Sequence, residues 1–153
     1  MERMRRTRRP QKGTTVVELA FTLPFLLLLL LGGLHYGWLF YHLQRVTNAT
    51  RHATRIGTLP GRSPQDVKNA LSSVLGLGGG AWPNYNLNVD DATQVSIENV
   101  DLLIDGETVP GLKVGVRLPT ATNPQVLLLK KIPFGPSGPT HLAASMTMAL
   151  EGG

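Results

Sequence analysis

Hydrophobic and polar positions are distributed very unevenly along the chain. From Leu19 to Gln44 there is no charged side chain, and residues 19–41 read LAFTLPFLLLLLLGGLHYGWLFY. As a helix rising 1.5 Å per residue, these residues reach roughly 34 Å, enough to cross a hydrocarbon layer of about 30 Å. Tyr36, Trp38, Phe40 and Tyr41 gather at the far end, where amphipathic rings favour the headgroup level. Beyond Tyr41, Leu43, Val46, Thr50, Ala53 and Gly57 recur at steps of three and four, a narrow seam of small and apolar residues. Arg45, Arg51 and Arg55 lie largely off that seam. The pattern predicts one helix from about Thr14 to Ile56, roughly 65 Å long. Pro24 removes one hydrogen bond from it, which a membrane helix tolerates. Gly33 and Gly37 form a small-xxx-small pair suited to close approach of another helix.

After Gly57 the pattern changes. Nine of the 11 prolines and 13 of the 17 glycines lie from residue 57 onward. In TLPGRSPQD, Ser63 fits an N-cap, Pro64 the first helical position and Asp66 the end of an S-x-x-D box. The helix predicted there runs to about Leu75, with Val67, Ala70, Leu71, Val74 and Leu75 on one face. GLGGGAWPN ends it, and Trp82 and Tyr85 are read as packing residues. Strand-like alternation follows at Val95 and Ile97, then less cleanly at Val100, Leu102 and Ile104. It returns at Leu112, Val114, Val116 and Leu118. With DGETVPG as the turn between them, the two runs predict an antiparallel hairpin. QVLLLKKIPF reads equally as a short helix or a strand, GPSGP as a loop, and residues 141–150 as a final strand. The expected fold class is α+β: a long N-terminal transmembrane helix extending into a small extracytoplasmic domain, with a short helix and an antiparallel sheet in a pilin-like outline. The expected organisation is a basic cytoplasmic leader (1–13), a transmembrane helix with its extension (14–57) and the outer domain (58–153).

Charge fixes the expected orientation. The net charge is +5, and residues 1–13 hold six basic side chains against the single acid Glu2, so the remainder is neutral overall. A basic flank stays in the cytoplasm, giving an N-in, C-out single pass. No basic excess is left for a nucleic-acid-binding face. A cleaved secretory signal is the rival reading, but the apolar run is long for one and no A-x-A site follows it. There are no cysteines, which excludes disulfides and thiol chemistry. No nucleophile elbow, phosphate loop, dinucleotide fingerprint or zincin motif is present. His35, His42, His52 and His141 lack metal-ligand spacing. His35 stands out as an ionisable group within the span, read here as a neutral interfacial imidazole. Asp90, Asp91, Asp101, Asp105 and Glu107 lack a calcium-loop pattern and read as solvated turn residues. Asn48-Ala49-Thr50 fits a glycosylation acceptor but falls inside the long helix. No metal site, cofactor or catalytic residue is expected.

The boundary of the apolar run carries the sharpest chemistry. RRPQKG is followed by TTVVE and then the span, so Glu18 sits at the edge of hydrocarbon, where an unpartnered carboxylate is costly. The structural alternative is an acid at headgroup level favoured by the helix dipole. The arrangement resembles a type IV prepilin leader. That resemblance implies a membrane peptidase cutting between Gly13 and Thr14, and a role for Glu18 in assembly. GLHYGWLFYHLQRVTNATRHATRIG further resembles the helix of TadE-like proteins of tight-adherence pilus systems, with Thr47, Asn48, Ala49, Arg51 and Arg55 on the family's pattern. HLAASMTMALEG resembles the family's last strand, closed by Glu151. The chain departs from the family at His35, where an acid is common, and at Trp38, where an arginine is. Leu19 follows Glu18 where major pilins have tyrosine. The resemblance implies a non-enzymatic pilus or secretion assembly protein, a minor pilin or pseudopilin in the bacterial inner membrane. Its implied partners are membrane lipid, other pilin-like subunits and pilus machinery, with a prepilin peptidase as processing enzyme. The competing reading is an uncleaved, membrane-anchored extracytoplasmic binding or scaffold protein.

Overall fold

The computed structural model describes residues 12–75, 85–127 and 139–150. The expectations for the leader up to residue 11, the 76–84 connection with Trp82, most of the 125–134 run, the GPSGP loop and Glu151 lie outside them. The chain divides into two compact units, with the boundary between Tyr36 and Gly37.

The first unit is the apolar half of helix α1, which runs Lys12–Gly57 and continues through Pro24. Its side chains are bare: Phe21, Phe25, Leu28 and Leu29 are each more than 70% exposed. Among the described residues it is the one helix long and apolar enough to cross a membrane. From Val16 to Leu31 this surface is exposed among the described residues, as in a helix that could lie in lipid or against other helices.

The second unit contains the rest of α1, helix α2 (Pro64–Leu75), and strands β1 (Val95–Ile104), β2 (Glu107–Pro119) and β3 (His141–Ala149). The strands form an antiparallel sheet in the order β1-β2-β3. This is the α+β arrangement expected from the pattern. α2 starts as its sequence predicts: the Ser63 backbone N–H donates to Asp66 Oδ2 at 2.9 Å and the Ser63 hydroxyl to the same oxygen at 3.1 Å. These two donors, the amide first, lower the Asp66 pKa. Its buried face is Val67, Ala70, Leu71 and Leu75.

The α1 seam forms one side of the core. Val46, Ala49 and Ala53 are fully buried against the α2 face and against Val114, Val116 and Leu118 of β2. Polar seam residues are admitted because they satisfy themselves. Thr50 and Thr54 donate to the carbonyls of Val46 and Thr50 at 2.8 and 2.7 Å, so no hydroxyl is buried unpaired. At Gly57, α1 packs tightly against both α2 and β2. A Cβ there would collide with Leu112 Cδ2 and would lie 2.7 Å from Val67 Cγ2.

The hairpin differs from its expected form in the extent of its turn. Only Asp105 and Gly106 turn, with φ of 52° and 87°, the two-residue geometry that matches strand twist. Glu107–Gly111 already belong to β2, Pro110 included. Pro110 pairs with Asp101 of β1 but lies beyond the end of β3, whose pairing stops at Gly111, so its missing N–H breaks no ladder to that strand.

Candidate functional site

The residues singled out at the membrane boundary fall in the first turns of α1. Gly13 and Thr14 are helical. Glu18 follows one turn after Thr14 and is exposed, its backbone carbonyl accepting the Thr22 hydroxyl at 3.0 Å. Among residues 15–44 it is the only carboxylate, and its neighbours Val16, Val17 and Leu19 are all more than half exposed. A carboxylate is thus presented on an otherwise apolar surface.

Further along α1, Gly33 and Gly37 lie one turn apart, and a Cβ built on either meets nothing within 4 Å. The groove they leave is unfilled by the chain's own described residues. His35 is buried, at 5% exposure, with Tyr36 edge-on to its ring at 6.0 Å.

The aromatic end of the apolar run has two roles. Tyr36, Phe40 and Tyr41 are exposed, as an interfacial collar requires. Trp38 instead turns into the folded unit, where its indole N–H donates to the Gln125 carbonyl at 2.8 Å. Beside it, His42 is fully buried and its Nδ1 lies 2.6 Å from the Tyr85 hydroxyl. The rings of Trp38 and Tyr85 meet that imidazole edge-on, at 5.0 and 5.6 Å. Burial, and next the Arg45 charge, lower the His42 pKa, while the Gln125 backbone acts in the opposite sense. Burial pushes the Tyr85 pKa up to about 12, opposed by Arg45.

Sequence reasoning did not find this cluster. Tyr85 was legible as a packing residue, but nothing near His42 announces a partner 43 residues away. Asn123 is similar. It is fully buried and ties two segments, accepting the Asn86 N–H at 2.7 Å and donating to the Pro119 carbonyl at 3.0 Å.

Other singled-out residues are ordinary. Asp91 caps its own turn, accepting the Thr93 amide and hydroxyl at 2.9 and 2.7 Å. Among the described residues no three His, Asp or Glu side chains are grouped to hold a metal. Asn48 is exposed, but Thr50 of the same triplet is buried in α1.

One helix is thus apolar enough in one half to cross a membrane and a core element in the other, with a glycine and a carboxylate at its N-terminal boundary. Residues 13–55 match the family model described as TadE-like protein. The match spans Gly13, Thr14, Glu18, the glycine pair and the Thr47–Arg55 stretch, so the TadE-like resemblance holds across α1; α2, the sheet and the final strand lie outside it. No curated protein and no solved structure matches the chain.

Proposed function

We propose that this protein is a non-enzymatic assembly subunit, a minor pilin or pseudopilin of a tight-adherence pilus system. The observation that carries the reading is the TadE-like match falling on a helix whose apolar half is bare and whose other half is built into a folded unit. The first half packs laterally with lipid and with helices of other subunits, using the Gly33/Gly37 groove. The second unit meets pilus or secretion components. The basic leader keeps the N-terminus in the cytoplasm and places the folded unit outside the inner membrane.

In this reading a prepilin peptidase cuts between Gly13 and Thr14, releasing the leader with its excess positive charge. Glycine destabilises a helix by about 1 kcal/mol relative to alanine, which helps the first turn unwind into a peptidase site. The new ammonium of Thr14 stands one turn from Glu18, on its own chain or a neighbour's, and the pair lets both charges enter an apolar bundle. Co-expression with a prepilin peptidase should lower the intact mass by the leader of thirteen residues. Gly13→Leu should block the cut, whereas Glu18→Ala should leave it intact and reduce pilus formation. An unchanged mass together with full piliation in the Glu18→Ala strain would leave the uncleaved, membrane-anchored scaffold as the surviving reading. A C-terminal alkaline phosphatase fusion should be active; an inactive one would reverse the orientation.

A further inference from the structure

The free end of the β1–β2 hairpin and the outward face of α1 carry opposite, unneutralised charge. β3 stops pairing at Gly111, so Asp101–Ile104 and Glu107–Pro110 continue as a two-stranded ribbon, extending roughly 13 Å at 3.3 Å per residue. Its tip exposes Leu103 (77%) and Ile104 (46%). From Glu98 to Val109 there are four acids and no base. Glu98 pairs with Lys113 at 3.7 Å, while Asp101, Asp105 and Glu107 form no ion pair among the described residues. A protruding, apolar-tipped edge ribbon is normally covered or blunted. Its acids blunt it and at the same time specify a basic partner.

Such a surface exists on the same unit. From Arg45 to Arg62 there are four arginines and no acid. Arg51, His52 and Arg55 are exposed on the side of α1 opposite the buried Val46, Ala49 and Ala53, and Leu59 is 38% exposed just beyond. Arg62 approaches Asp66 at 4.0 Å; neither Arg51 nor Arg55 has an ionic partner among the described residues. Arginine stems offer apolar surface beneath their charges, so this face can receive Leu103 and Ile104 while its guanidinium groups meet the acids.

We propose that the hairpin tip of one copy docks on the Arg51/Arg55 face of α1 in a second copy. A second copy is favoured over another protein because the chain itself carries the complementary surface, with matched charge. Both surfaces belong to one folded unit, so anchored copies present them on the same side of a membrane at high local concentration. The contact is heterologous: each copy keeps a free tip and a free arginine face, so the association propagates along a row of copies and does not close as a symmetric pair. It depends neither on leader cleavage nor on the assembly role proposed above.

The absence of cysteine makes the test clean. Copies of the full chain carrying Leu103→Cys and His52→Cys are co-expressed in membranes and oxidised. Both positions are exposed, so neither substitution disturbs the core. The mixed disulfide should form at least tenfold above a pair using Asn69→Cys on α2 in place of His52→Cys, and one chain carrying both changes should give a ladder of multimers. Asp101→Arg with Glu107→Arg should cut the yield about tenfold, and Arg51→Glu with Arg55→Glu in the other copy should restore it. Dimers from Leu103→Cys alone, a mixed yield no higher than the Asn69 control, or indifference to charge reversal would overturn the proposal. Because the readout is cross-linking, it can fail while processing and piliation succeed, or the reverse.

Discussion

Gly57→Ala tests the packing of the end of α1 against α2 and β2. The added methyl would collide with Leu112 Cδ2 and approach Val67 Cγ2 to 2.7 Å. Val67 is 1% exposed and Leu112 6%, so neither can swing into solvent, and the β-branched valine has a stiff χ1 in its helix. Overpacking of this kind costs about 1–3 kcal/mol. Gly57 has no positive φ, so alanine gains helix propensity there, up to about 1 kcal/mol. It gains less than that because Gly57 is the last residue of α1. The net expectation is a loss of about 1–2 kcal/mol, or roughly 4–10 °C in Tm for a unit of this size. Thermal unfolding of the detergent-solubilised protein, followed by circular dichroism, reads it directly. Gly33→Ala is the control: nothing lies within 4 Å of a Cβ there and alanine only gains helix propensity, so its Tm should not fall. A Gly57→Ala protein as stable as the parent would show that the three elements do not meet as closely as described.

Acid should weaken the folded unit through His42. Its lowered folded pKa means the unfolded chain binds the extra proton, so stability falls as pH drops below the ordinary value of 6.5. His42→Phe should flatten the stability profile between pH 6.5 and 5, and an unchanged slope would remove His42 as its source. At the alkaline end, the Tyr85 pKa raised to about 12 gives stability that is present below pH 10 and lost between 10 and 12. Tyr85→Phe should abolish that loss, as read by denaturant titration across the interval. Finally, a fragment beginning at Gly37 should fold as a monomer in dilute solution, where the local concentration that drives the proposed contact is absent, whereas one beginning at Pro60 should aggregate, because it lacks Val46, Ala49 and Ala53, each fully buried. Equal melting temperatures and monomeric elution for both would show that α1 is dispensable to the core.

The local elements were readable because each depends on near neighbours. The span needs only uninterrupted apolarity, α2 only its Ser63–Asp66 start and 3.6-residue seam, and β2 only its alternation at Leu112, Val114, Val116 and Leu118. The motif at Gly13, Thr14 and Glu18 is likewise a matter of a few consecutive residues, all within the stretch the family model matches.

β1 shows where the local pattern ends. Its apolar positions change parity after Ile97, and sequence alone leaves open whether a bulge restores one face. The register with β2 is unbroken from Val95 to Ile104, so Val100, Leu102 and Ile104 fall on the face opposite Val95 and Ile97. Leu102 is then free to lie across Gly111, whose missing side chain makes room for it. The sequence by itself determined a helix able to span a membrane, a folded unit of α and β elements and a TadE-like boundary. Tertiary structure alone decided that Trp38 and His42, on the edge of an apolar run, belong to the folded unit. Their partners Gln125 and Tyr85 come from distant loops, and a hydrogen bond between distant segments leaves no periodic trace in either of them.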